Sequence, residues 1–162
     1  KTRDELGASE LASLRGLRGG VVPVLRTDEH LPLYRALHRA MRAGLVASCH
    51  DCSDGGLAVA LAESAFAGGL GLELDLALAP AEGLSSDLEL LYSESLGRFV
   101  VTVDEGAAAR FEALLAPLPG LWARVGRVCE AERLKVRGLD GQGVMDTALE
   151  ELKAAWMAPL DW

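Results

Sequence analysis

The chain has 162 residues, half of them hydrophobic and a quarter charged, enough for one folded domain with a real core. Sixteen Lys and Arg against 24 Asp and Glu give a net charge of −8, which argues against nucleic acid and anionic membrane surfaces as partners. Sixteen scattered cations form no basic block, no run of about 18 apolar residues is present, and the polar start KTRDELGASE lacks a signal-peptide core, so no membrane association is expected. Three cysteines, an odd number, suit a reducing, cytoplasmic setting rather than a disulfide framework. The first residue is Lys1, not Met, which points to a piece of a longer protein or a processed product.

In chain order, residues 1–20 read as a linker from a missing upstream domain, with a short helix over 9–17 whose Leu11, Leu14 and Leu17 share one side. The domain proper is expected over 21–162. Residues 20–25 (GVVPVL) are a short extended piece interrupted by Pro23. Residues 28–43 form a helix, with Thr27 as N-cap, acidic residues in the first turn and Gly44 as its stop. A strand over 45–49, a polar turn, and an apolar helix from Gly56 to Ala67 follow. Residues 70–76 (LGLELDL) alternate as a half-buried strand. Ser85 or Ser86 caps a short helix ending at Leu91; a strand runs over 98–103 and a helix over 105–115. Residues 121–128 and 133–136 are read as strands, paired antiparallel, and 144–156 as a final helix. Strands and helices mix without a strict βαβ rhythm. The expected class is α+β, a layered sandwich with a mixed, largely antiparallel sheet covered by helices.

Two clusters concentrate the polar chemistry. In HDCSDGGLAVALAESAFAG, His50, Asp51, Ser53 and Asp54 precede Gly55 and Gly56 at a helix start. Ser53 and Asp54 are suitable N-caps, and the glycine pair permits a sharp turn or a close ligand approach. One reading is a phosphate or nucleotide site at the helix N-terminus; the other is a well-capped helix without a ligand. Asp51 and Asp54 repel a bare anion, which leaves a magnesium-bridged phosphate or a hydroxyl-bearing ligand for the first reading. Cys49 and Cys52 form C-x-x-C, but no second pair completes a zinc site, and Cys49 is better read as a small buried hydrophobe. Ser93, Glu94 and Ser95 form the second cluster, read either as ligand-facing polar groups or as a solvated loop. His30 and His38 have no evident partner and are read as packing residues. No P-loop, G-x-G-x-x-G or Ser/His/Asp arrangement is present.

HDCSDGGLAVALAESAFAG, GLGLELDL and LYSESLGRFVVTV together, with the leader KTRDELGASEL, resemble the C-terminal domain of the synthetase subunit of phosphoribosylformylglycinamidine synthase. The D-x-S-D-G-G-L element alone is shared with aminoimidazole ribonucleotide synthetase, selenophosphate synthetase and thiamine-monophosphate kinase. The resemblance implies an aminoimidazole ribonucleotide synthetase-like C-terminal fold and an enzyme of two similar halves. It also implies an ATP-dependent ligation, with magnesium, of ammonia to formylglycinamide ribonucleotide in purine biosynthesis. Implied partners are upstream domains of the same polypeptide, a glutaminase subunit and a small bridging subunit. The principal ATP, magnesium and catalytic residues would lie upstream. This chain alone is then expected to be inactive, to bind no cofactor by itself, and to self-associate, as a homodimer, through an apolar face left open. His50, Asp51, Ser53, Asp54, Gly55, Gly56, Ser93, Glu94 and Ser95 are its nucleotide-, substrate- or interface-site candidates, with no catalytic or metal-binding residue among them. The first-half element has a Gln after Ser-Glu-Ser, where this chain has Leu96 and Gly97. The alternatives are a free-standing, non-catalytic binding or oligomerisation module of the same fold, or a domain of a sister synthetase or kinase.

Overall fold

The computed structural model describes residues 1–160; the last two residues assigned to the domain from sequence, 161 and 162, lie outside the described residues. The central element is helix α3, Gly56–Gly68. Apart from Glu63 and Ser64 its sequence is apolar or glycine, the pattern of a helix covered on more than one side. Strands β2 (Ser48–Asp51) and β5 (Phe99–Thr102) lie against it, as do helix α4 (Asp87–Tyr92), helix α6 (Leu149–Met157) and strand β3 (Gly71–Asp75).

β3 belongs to a four-stranded mixed sheet with β6 (Gly126–Cys129), β7 (Arg133–Arg137) and β8 (Gly143–Ala148), in the order β6-β3-β7-β8. β3 runs antiparallel to β6 and parallel to β7, and β7 runs antiparallel to β8. β2 and β5 form an antiparallel pair, and β1 (Thr2–Arg3) pairs in parallel with β4 (Ala81–Glu82). Helices α1 (Glu10–Leu14), α2 (Thr27–Arg42) and α5 (Glu105–Leu115) complete the chain, with α2 packed on α5. This is the α+β architecture expected from the sequence.

The core lies between α3 and the four-stranded sheet. Leu61 and Ala65 of α3 meet Leu72, Leu134 and Val136 of the sheet, with Leu90 and Leu91 of α4 and Leu149 of α6 at the margins. The opposite face of the sheet carries charge, including the Arg127–Glu73 and Arg133–Asp146 pairs. Period-two alternation separates the two faces.

Several boundaries differ from the sequence expectations. The leader is packed into the fold: Thr2, Arg3, Glu5 and Ser9 are buried, and β1 joins a sheet, so no break in packing marks residue 20. The expected apolar side of the first helix is open, with Leu14 and Leu17 exposed and Ala12 buried instead. Residues 20–25 are not a strand; Val21, Val22, Val24 and Leu25 are exposed. Thr27 is the first helical residue rather than the cap, and Arg26 before it makes no side-chain cap bond. The strand expected over 45–49 begins at Ser48 and continues through Asp51, because its partner β5 sets the register. Leu70 stays in solvent ahead of β3. β6 and β7 do not pair with each other; β3 lies between them. The helix expected over 144–156 is a strand followed by a shorter helix. Gly143 and Met145 to Ala148 pair with β7, Val144 being skipped at a register shift, across a turn in which Gly138 N–H donates to Gln142 O, and Asp146 meets Arg133 across the strands.

Candidate functional site

The β2–β5 pair brings the two polar clusters together. Cys49 faces Val101, His50 faces Val100 and Asp51 faces Phe99, and Cys52 N–H extends the ladder to Arg98 O at 3.0 Å. Where the strands end, the turn 52–55 and the segment 94–98 border an open cleft of about 540 Å³. Asp51, Ser53, Asp54 and Glu94 supply its polar lining; Pro23, Tyr34, Leu96 and Phe99 supply an apolar rim. Tyr34 meets Phe99 edge-on with ring centroids 5.7 Å apart.

The turn itself is held differently from the sequence expectation. Neither Ser53 nor Asp54 caps α3; the N-cap is Gly55, at φ +75°, and no side chain of its own caps the helix. Glu94 does so from across the cleft: its Oε1 accepts the Gly55 N–H at 2.9 Å and the Glu10 N–H at 2.8 Å. One carboxylate thus serves the starts of α3 and α1, where the helix dipoles favour negative charge. Gly56 follows at φ +65°, and a Cβ there would stand 2.7 Å from Ser93 O. Only glycine satisfies both the left-handed backbone and this approach.

Ser93 and Ser95 point inward. Ser95 Oγ accepts Arg3 N–H at 3.0 Å, Ser93 Oγ accepts Glu5 N–H at 3.4 Å, and Glu94 N–H donates to Glu5 O at 3.4 Å. Both serines are buried, so they anchor the leader rather than face the cleft. His50 also turns away from the cleft, and its Nε2 lies 2.7 Å from Glu63 Oε2 on α3. Of the nine candidates, Asp51, Ser53, Asp54 and Glu94 line the cleft, Gly55 and Gly56 shape its turn, and His50, Ser93 and Ser95 are structural contacts.

Arg98 was not singled out from the sequence, although it is the only cation in LYSESLGRFVVTV. It is buried at the floor of the cleft; Nε donates to Ser95 O at 2.8 Å, one terminal nitrogen to Thr2 Oγ1 at 3.0 Å and the other to Ser93 O. Burial pushes its pKa down, and its donors are spent on neutral oxygens. Glu5 was also missed. It is almost wholly buried; Arg26 donates to its Oε1 at 2.8 Å and Val24 N–H at 3.3 Å. His30 packs under Gly97 and stacks on Tyr34, and burial lowers its pKa, so it is a neutral packing residue. Burial raises the pKa of both Cys49 and Cys52, which disfavours the reactive thiolate.

These groups do not fit a nucleotide phosphate by themselves. The polar lining is acidic, and Arg98, the one lining cation among the described residues, is committed to the protein. Among the described residues no group of three or more His, Cys, Asp or Glu is arranged to hold a metal ion. The cleft suits hydroxyl or cationic groups brought against it, including those of another protein surface.

Comparison with known proteins places this geometry. The phosphoribosylformylglycinamidine synthase subunit PurL of Thermococcus sibiricus is 35% identical over 155 residues, 96% of this chain and 21% of the relative. That of Moorella thermoacetica is 40% identical over 157 residues, 96% of this chain and 20% of the relative. The crystal structure of Thermotoga maritima phosphoribosylformylglycinamidine synthase II superimposes with a TM-score of 0.70 at 25% identity, over 81% of this chain and 22% of that one. The chain therefore spans about a fifth of the length of these relatives. Escherichia coli HypE, a hydrogenase maturation protein, shares the fold, with a TM-score of 0.62 at 22% identity, over 91% of this chain and 47% of that one. Residues 2–138 match the model of the AIR synthase related protein, C-terminal domain, and the chain belongs to that family.

Proposed function

We propose that this chain acts as the C-terminal domain of an ATP-dependent ligase, phosphoribosylformylglycinamidine synthase. That enzyme joins ammonia to formylglycinamide ribonucleotide in purine biosynthesis. The observation that carries the reading is the match of nearly the whole chain to about a fifth of several PurL subunits. A Thermotoga maritima PurL structure is a complex with ATP, with a TM-score of 0.65 at 27% identity over 75% of this chain and 21% of that one, which supports ATP as the cosubstrate of the whole enzyme. Magnesium would accompany the ATP and offset its phosphate charge.

The acidic, cation-poor cleft supports a division of labour. ATP, magnesium and the reacting groups are held by other domains of the same polypeptide, and this domain contributes an interface. Asp51, Ser53, Asp54 and Glu94 would meet hydroxyl or cationic groups presented by a neighbouring domain or its ligand. A structure of Thermotoga maritima carries the name PurLQS, which supports assembly with further subunits, here a glutaminase and a small bridging subunit. The setting proposed is the cytoplasm; no helix among the described residues is long and apolar enough to cross a membrane. The exposed Val21, Val22 and Leu25 beside the cleft rim give the isolated chain an apolar surface for a homodimer.

The test is reconstitution. The chain alone releases no ADP from ATP with formylglycinamide ribonucleotide and ammonia; joined to its upstream coding sequence, it does. A folded long protein without that activity overturns the reading. A strictly monomeric elution volume at millimolar concentration overturns the homodimer.

A further inference from the structure

Residues 139–160 lie beyond the stretch matched by the family model, which ends at 138. They include β8, an edge of the four-stranded sheet, and α6, which packs on α3. One carboxylate of α3 joins α6 to β2. Glu63 Oε1 accepts the indole N–H of Trp156 at 2.9 Å, and Glu63 Oε2 lies 2.7 Å from His50 Nε2. An ionised carboxylate only accepts, so the imidazole proton of that bond sits on Nε2. Phe66, one helical turn beyond Glu63, meets the Trp156 ring with centroids 5.8 Å apart. Asp51, the next residue of β2 and a lining residue of the cleft, is joined to His50 by the strand backbone; its Oδ1 stands 3.6 Å from His50 Nδ1, beyond hydrogen-bond reach.

We infer that α6 is a strap: its docking through Trp156 and Glu63 sets His50, and through His50 the end of β2 that carries Asp51 into the cleft. A carboxylate held by one donor can rotate about its last torsion; held at both oxygens by donors from different elements, its plane is fixed. Glu63 is thereby a fixed acceptor for His50, and the strap transmits its docking state to the acidic wall. Glu63, His50 and Trp156 are positioning residues. None of them lines the cleft.

A double-mutant cycle on the whole chain tests this. Trp156→Phe keeps a ring against Phe66 and deletes the indole N–H; His50→Ala deletes the imidazole. The two substitutions are expected to be non-additive, by at least threefold in the unfolding equilibrium constant, and the coupling is expected to vanish in a Glu63→Ala background. Additivity, or coupling that survives Glu63→Ala, overturns the strap. If a double variant fails to fold, hydrogen exchange in the single variant Trp156→Phe decides. Amides 49–52 should exchange at least threefold faster while those of 126–129 stay unchanged, and unchanged exchange at 49–52 overturns the inference. These measurements need no substrate, so their failure is separate from failure of the ligase reading.

Discussion

Glu94 and Gly55, 39 residues apart, are joined by a 2.9 Å hydrogen bond in which a carboxylate from one side of the cleft caps the helix on the other. The same oxygen takes the Glu10 N–H, so the bond also ties the leader to the turn. Glu94→Ala leaves both helix starts without this acceptor and is expected to cost about 1–2 kcal/mol. Glu94→Gln keeps an acceptor oxygen but loses the charge, and is expected to cost about half as much. Urea unfolding of the two variants measures this, with equal losses counting against the charge contribution.

The glycines of the chain separate cleanly by environment. Gly56→Ala places a methyl 2.7 Å from Ser93 O at φ +65°, and a loss of more than about 2 kcal/mol is expected. Gly106 lies inside α5, away from the left-handed region, with nothing within 4 Å of a Cβ. Gly106→Ala should therefore stabilise the chain by about 0.5–1 kcal/mol. Thermal unfolding of the pair should shift the midpoint in opposite directions.

Elements whose signals are local were legible in sequence. Helix α5 starts after Asp104 and stops before Pro117 as expected, and Ser86 forms a capping box with Glu89 at α4. The α+β class followed from the mixture of alternating and helical stretches. What sequence reasoning misplaced depends on partners far along the chain. β8 reads as helix until β7 is beside it, and the end of β2 is set by β5. The site was half legible for the same reason. Asp51, Ser53, Asp54 and Glu94 do line one cleft. That Ser93 and Ser95 hold Arg3 and Glu5, at separations of 88 to 92 residues, has no local signature.

Arg98 organises that long-range contact. Its guanidinium joins Thr2 to the carbonyls of Ser93 and Ser95, all in the buried seam between leader and cleft. Arg98→Ala leaves these acceptors unpaired and should cost about 3 kcal/mol. Arg98→Lys restores a charge but not the planar fork, so it should recover only part of the loss. Limited proteolysis offers a second measurement: in Arg98→Ala, cleavage should move into residues 1–20 while α3 remains protected.

Glu5 gives the fold a defined acid limit. Burial pushes its carboxyl up, but the Arg26 guanidinium and the Val24 N–H, both bonded to its Oε1, outweigh this and hold it below the ordinary glutamate value of 4.5. A carboxyl whose pKa is lower in the folded than in the unfolded chain binds fewer protons when folded. Its stabilisation is therefore complete above the unfolded value and is lost as pH falls through the folded one. Glu29 is lowered in the same way by its hydrogen bond from Arg3, and adds to the same window. Stability should thus be flat near neutrality with respect to these two groups and fall below about pH 4.5. Glu5→Gln should destabilise the chain at pH 7, because Arg26 loses its charged partner, and should flatten the fall below pH 4.5. Denaturant midpoints from pH 3 to pH 7 for both chains check the sign: an acid slope as steep in Glu5→Gln as in the parent would show that Glu5 does not supply it.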